Sequence, residues 1–170
     1  MPASPLKVPE FDVAHAVVRP WVINDEITRY LLNSVDRSIW RADPPDGKGR
    51  TIAAIFAHIH NVRGMWLKAA GAGHVLEKLE GRTCTQDETR EALTASGAAC
   101  RELIEGALEQ GGRVKGFKPD ALSFLGYLIS HDSHHRGQIS MLARQLGKPI
   151  SKEAMFGMWE WNRFAKAAGA

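Results

Sequence analysis

Apolar residues recur along this chain at steps of three and four, and no stretch shows the alternation of a strand. Ile27, Leu31, Val35 and Ile39 repeat every four residues. That spacing places them on one face of a helix over about 20–39. Pro20 suits the first position of this helix, where its missing N–H costs no hydrogen bond. Ile52, Ile55, Ile59, Val62 and Trp66 step by three and four, the seam of a second helix over about 51–69. Gly71 and Gly73 stop it. Thr85-Gln86-Asp87-Glu88 has the form of a capping box. It opens a third helix that continues to about Gln110 and stops at Gly111-Gly112. Pro119 suits the first turn of a fourth helix over about 120–146, which Gly147 and Pro149 terminate. Ser151 to Ala168 reads as one short helix broken near Gly157.

Four long helices with short to moderate connections predict an all-α fold, a four-helix bundle with a short C-terminal helical segment. Asp43 to Gly49 is a Pro- and Gly-rich loop. Pro2, Pro5 and Pro9 disfavour helix at the start, so residues 1–12 read as an extended arm and 13–170 as a single bundle domain. The 170 residues suffice for one real core, and 44% apolar content argues against disorder. A net charge of +3 without a basic block gives no reason to expect nucleic acid as a partner. No apolar run approaches the roughly 18–20 residues of a membrane span, and the first twelve residues lack the apolar core of a signal peptide. Cys84 and Cys100 form no CxxC and read as free thiols of a reducing compartment. The expected location is cytoplasmic.

The chemistry on offer is histidine. His131 and His135 are four residues apart, so they stack on one helical face. Leu122, Leu125, Leu128 and Leu142 share that broad face, so the pair interrupts the stripe that points into the bundle. Buried imidazoles need partners. Two at this spacing can reach one ion, at about 2.0–2.1 Å from each nitrogen to zinc. A third ligand should come from another helix. The second helix offers His58 and His60, about 100° to either side of the seam at Ile59, and the helical wheel does not choose between them. His134 points about 60° from His131, on the side away from His135, and is read as a boundary residue. His15 and His74 fall in segments read as irregular. No Glu follows His131, so the His-Glu-x-x-His arrangement of zinc proteases is absent. Other residues take their commoner roles. Arg63 and Arg136 read as surface arginines rather than anion holders. Met65, Met155 and Met158 read as core filler. Phe156, Trp159, Trp161 and Phe164 read as packing for a C-terminal helix rather than a roof over a substrate pocket.

Three motifs carry a resemblance. They are His131-Asp-Ser-His-His-Arg-Gly-Gln-Ile139, Ile55-Phe56-Ala57-His58 with Trp66 eight residues on, and Met158-Trp159-Glu160-Trp161. Over roughly residues 20–165 the chain resembles the DinB/YfiT-like superfamily of four-helix-bundle proteins. The resemblance implies a divalent metal ion, zinc or nickel among others, held by one histidine of the second helix and an i,i+4 pair on the last. By position these ligands are His58, His131 and His135. Gln138, one turn beyond His135, is then a candidate to bond a ligand histidine. Members are often homodimers. Characterised ones use the metal to activate a low-molecular-weight thiol, among them bacillithiol S-transferases and a mycothiol-dependent maleylpyruvate isomerase. The resemblance therefore implies a metal-binding protein, with thiol S-transfer to small electrophiles or a hydrolase-like reaction as its activity and a thiol as co-substrate. The alternatives are a non-catalytic metal- or ligand-binding bundle of the stress response, and a bundle that acts by association.

Overall fold

A computed structural model describes residues 12–167 of the chain. The arm expected over 1–12 lies outside them, apart from Asp12. Among the described residues there are six helices and no strand. Four are long: α1 (Val13–Ser34), α2 (Ile52–Ala70), α3 (Gln86–Glu109) and α4 (Ala121–Gln145). Two are short, α5 (Lys152–Gly157) and α6 (Trp161–Ala167). α1 and α2 each pack against both α3 and α4, which makes a four-helix bundle with α1 and α2 at opposite corners. No described helix is long and apolar enough to cross a membrane.

Caps explain most boundaries. The Thr51 hydroxyl accepts the Ala54 N–H at 3.2 Å to open α2, and Gly71 closes it in the left-handed region at φ 74°. The capping box of Thr85 and Glu88 opens α3. Asp120 accepts the Ser123 N–H at 2.7 Å, so α4 starts after this cap and Pro119 lies outside its first turn. The first helix departs further from expectation. It begins at Val13 rather than Pro20, because the Asp12 carboxylate takes the His15 N–H at 3.0 Å. Pro20 therefore sits inside the helix, and His15 is helical too. Proline there removes one intrahelical hydrogen bond, and burial of Val18 and Trp21 on the same helix offsets the loss. α1 then stops at Ser34, and residues 37–39 form a single tight turn that still delivers Ile39 to the core. The tail breaks at Gly157 as expected, into the two short helices α5 and α6. A Cβ at Gly157 would overlap the Tyr30 hydroxyl, so only glycine lets the chain pass so close. Phe164 then packs edge-to-face on Tyr30, with ring centroids 5.6 Å apart.

The core has two large apolar clusters and a small third one of Ile23, Ile27 and Phe164. One of the large pair gathers Leu31, Leu32, Phe56, Ile59, Leu93 and Ile139; the other gathers Val18, Trp21, Leu67, Ile104, Phe124 and Leu128. Between them lies a buried polar layer of Asn24, Asp25 and Thr28 from α1, His60 and Arg63 from α2, Ser96 from α3, and Asp132 and His135 from α4. Arg63 of α2 is its centre and is wholly buried. It donates to Asp25 Oδ1 of α1 at 2.7 Å, to the Leu93 carbonyl of α3 at 3.3 Å, and to Asp132 Oδ2 of α4 at 2.6 Å. Its guanidinium also lies over the Trp21 ring, 4.8 Å from the centroid. Burial opposes the charge on Arg63, but Asp132 and Asp25 outweigh it and hold the group above its ordinary pKa. One side chain thus ties all four long helices, where a surface residue was expected.

Candidate metal centre

The polar layer continues outward into the histidines. α4 carries His131 and His135 one turn apart, and α2 brings His58 to face them. One ring nitrogen from each of the three lies within 4.8 Å of the other two. Ring centroids are 5.3 Å apart for His58 and His131, 4.7 Å for His58 and His135, and 4.5 Å for His131 and His135. His60 turns the other way. Its Nδ1 and Nε2 each lie 2.9 Å from a carbonyl oxygen, of Ala92 and Glu77 respectively, so neither nitrogen is free for an ion. His134 stays exposed outside the cluster.

Two of these imidazoles, His58 and His135, are pushed toward the neutral form. Burial, the nearby Arg50 and the other two histidines push His58 down to about 4. Burial likewise lowers His135, against the opposing pull of its hydrogen bond to Gln138. Gln138 Oε1 lies 2.8 Å from His135 Nδ1. A carbonyl oxygen only accepts, which assigns the proton to Nδ1 and leaves Nε2 with its lone pair. The other half of the Gln138 amide donates toward His134 Nε2 at 3.0 Å. His131 Nδ1 and Asp132 Oδ1 are buried, lack hydrogen-bond partners and stand 3.7 Å apart. Asp132 gives its other oxygen to Arg63 and to Asn24, the latter at 2.9 Å. Three converging ring nitrogens, with His58 and His135 pushed toward the neutral form and a buried orphan on His131, fit a divalent metal ion.

A hollow of about 1010 Å³ opens nearby. One wall is the loop from Pro44 to Arg50; the other is α4 at Gln138, Met141, Leu142 and Gln145. The histidines do not line it, but Gln138 does, and so does Ile55, one turn before His58. A second hollow of about 520 Å³ lies on the next face of α4, against the C-terminal helices.

Several side chains sit elsewhere than expected. Arg136 is half-buried, with Nη1 donating to Asn24 Oδ1 at 2.7 Å and to Thr28 Oγ1 at 2.8 Å. Only Phe164 of the C-terminal aromatics packs as expected; Trp159, Trp161 and Phe156 are exposed. The break after Gly157 turns Phe164 toward α1 and leaves the tryptophans on the second hollow. Met65 and Met155 are exposed as well, whereas Met158 packs against the core. Cys84 and Cys100 are free and buried, and burial raises both thiols, Cys100 to about 12, which leaves them unreactive. Asn24, Asp25 and Asp132 belong to the buried layer without a role that the sequence motifs assign. Their signal was a polar residue breaking an apolar stripe at the same level on α1 and α4, opposite Arg63 on α2.

No curated protein and no solved structure matches the chain. The family model described as DinB family matches residues 11–159. That span takes in all four long helices, the three converging histidines and Gln138, and the chain belongs to the DinB family.

Proposed function

We propose that this protein holds one divalent metal ion on His58, His131 and His135 and uses it to transfer a low-molecular-weight thiol to a small electrophile. The observation that carries the reading is the convergence of three imidazoles with no carboxylate or thiol joining them among the described residues. Such a set leaves coordination positions for a substrate. When bound, the ion supplies a positive centre that lowers the pKa of a coordinated thiol. The protein residues do the rest. Gln138 fixes the His135 ring so that Nε2 faces the site. Arg50 and Lys48 on the hollow's rim attract an anionic co-substrate, and Ile55 and Leu142 give an apolar wall for its partner. Asp132 gives Oδ2 to Arg63 and Asn24, and its other oxygen is buried beside His131 Nδ1 rather than lining the hollow, so it is poorly placed to deprotonate water there. This favours a thiol, which ionises near pH 8.5 unaided, over hydrolysis.

The test begins with metal analysis of untagged protein. One ion per chain is expected, and its loss in His58→Ala and His131→Ala. Loaded protein is then assayed for S-conjugation of bacillithiol, mycothiol and glutathione with a generic electrophile. Full metal in either variant overturns the ligand set. Stoichiometric metal without turnover for any thiol leaves a metal-binding bundle and removes the transferase.

A further inference from the structure

We propose that the cleft between α4 and the C-terminal helices binds a small apolar carboxylate, its acid group on Arg136 and its body against Met155, Trp159 and Trp161. The cleft encloses about 520 Å³, within the range of small-molecule sites. Its apolar wall is left to water: Trp159 is 78% exposed, Met141 58% and Trp161 45%. Large side chains gathered around one hollow in this way mark a surface that gains by being covered.

Arg136 lines the same cleft and says what covers it. Its contacts are to neutral groups: the Asn24 carbonyl and Oδ1, Thr28 Oγ1, and Ser133 Oγ at 2.8 Å. Arg63, by contrast, meets two carboxylates. Among the described residues, the Arg136 Nε–H and its second Nη2–H have no acceptor. Two unfilled donors on one planar cation match the two oxygens of a carboxylate. Ser133 accepts from Arg136 and so keeps its own O–H to donate. Arg144, further along the wall, adds charge of the same sign. The cleft meets the hollow beside the histidines only at Gly137 and Met141, so this binding does not rest on the metal reading.

The experiment titrates the full chain, stripped of metal by a chelator, with naphthalene-2-carboxylate and with the matched alcohol, naphthalene-2-methanol, by calorimetry. One acid molecule per chain is expected, bound at least tenfold tighter than the alcohol. Arg136→Gln should weaken the acid tenfold or more. That variant also loses bonds to Asn24 and Thr28, so Met155→Asp, at an exposed position, supplies an independent arm. It should cause a similar loss through repulsion with the melting temperature unchanged. Equal affinity for acid and alcohol, or an unchanged titration in Met155→Asp, overturns the proposal. So does the absence of binding with a dimer in sedimentation that Trp159→Glu dissociates, because a second copy is then the occupant.

Discussion

Gln138 decides which nitrogen of His135 is available. With its amide oxygen on Nδ1, the ring is held from behind and cannot flip without losing a 2.8 Å hydrogen bond. Groups that orient a ligand histidine in this way are worth about 10–100-fold in metal affinity. Gln138→Leu is therefore expected to weaken metal binding by that factor while leaving the stability of the metal-free protein unchanged, since Gln138 is exposed. Competition against a chromophoric chelator checks this, and wild-type affinity in the variant would remove Gln138 from the centre. At this scale the sequence was informative where chemistry is local. His131 and His135 declared themselves through their four-residue spacing. The choice between His58 and His60 did not, because α2 carries a histidine on each flank of its seam. What separates them is tertiary: the carbonyls that occupy His60 belong to Glu77 and Ala92.

Among the elements, α2 and α4 carry the three converging histidines, and their ends and interiors set how firmly they do so. Thr51 caps α2 two turns before His58. Thr51→Ala is expected to cost about 1 kcal/mol. Gly126 lies within α4, and a Cβ there meets nothing within 4 Å. Gly126→Ala is expected to stabilise by about 0.5–1 kcal/mol, since glycine inside a helix costs that much relative to alanine. Urea midpoints read both, and the opposite sign in either would mean that the element is held by contacts other than these. Helix existence was legible throughout, because three-and-four spacing, a capping box and terminal glycines are short-range signals. The start of α1 was not. Pro20 is compatible both with a first turn and with an interior position, and the cap that decides between them is Asp12, upstream of the apolar repeat. The exposure of Phe156, Trp159 and Trp161 is illegible in the sequence for a related reason. Their apolar character suits packing, but the direction each faces depends on the contact of Gly157 with Tyr30.

For the molecule as a whole, the buried polar layer is both the least legible feature and the one that places the site. Its members are scattered from Asn24 to His135, and each alone looks like an ordinary polar residue in an apolar stripe. Arg63 joins them, and replacing it by methionine strands two buried carboxylates. Loss of one partner of a buried ion pair costs about 3–5 kcal/mol, so Arg63→Met is expected to lose that much or fail to fold; a loss under about 1 kcal/mol would show that the layer is not held by this cation. Acid attacks the same level of the bundle through the histidines. His58 has an ordinary pKa of 6.5 and a folded value of about 4. Between those values the unfolded chain binds a proton that the fold refuses, so stability rises with pH across this window. The contribution of neutral His58 is complete above 6.5 and is lost progressively as the pH falls toward 4. The lowered His135 acts in the same direction. Asp132 follows at lower pH. Burial is the largest influence and opposes its charge, but Arg63, His131 and Arg136 together outweigh it and keep the carboxyl below its ordinary value, so its contribution goes only once it is protonated. The urea midpoint of metal-free protein should hold steady above pH 7 and decline from pH 6.5 downward. His58→Gln, which cannot take up the proton in either state, should decline less steeply over the same range. An identical slope in that variant would place the acid sensitivity elsewhere in the fold.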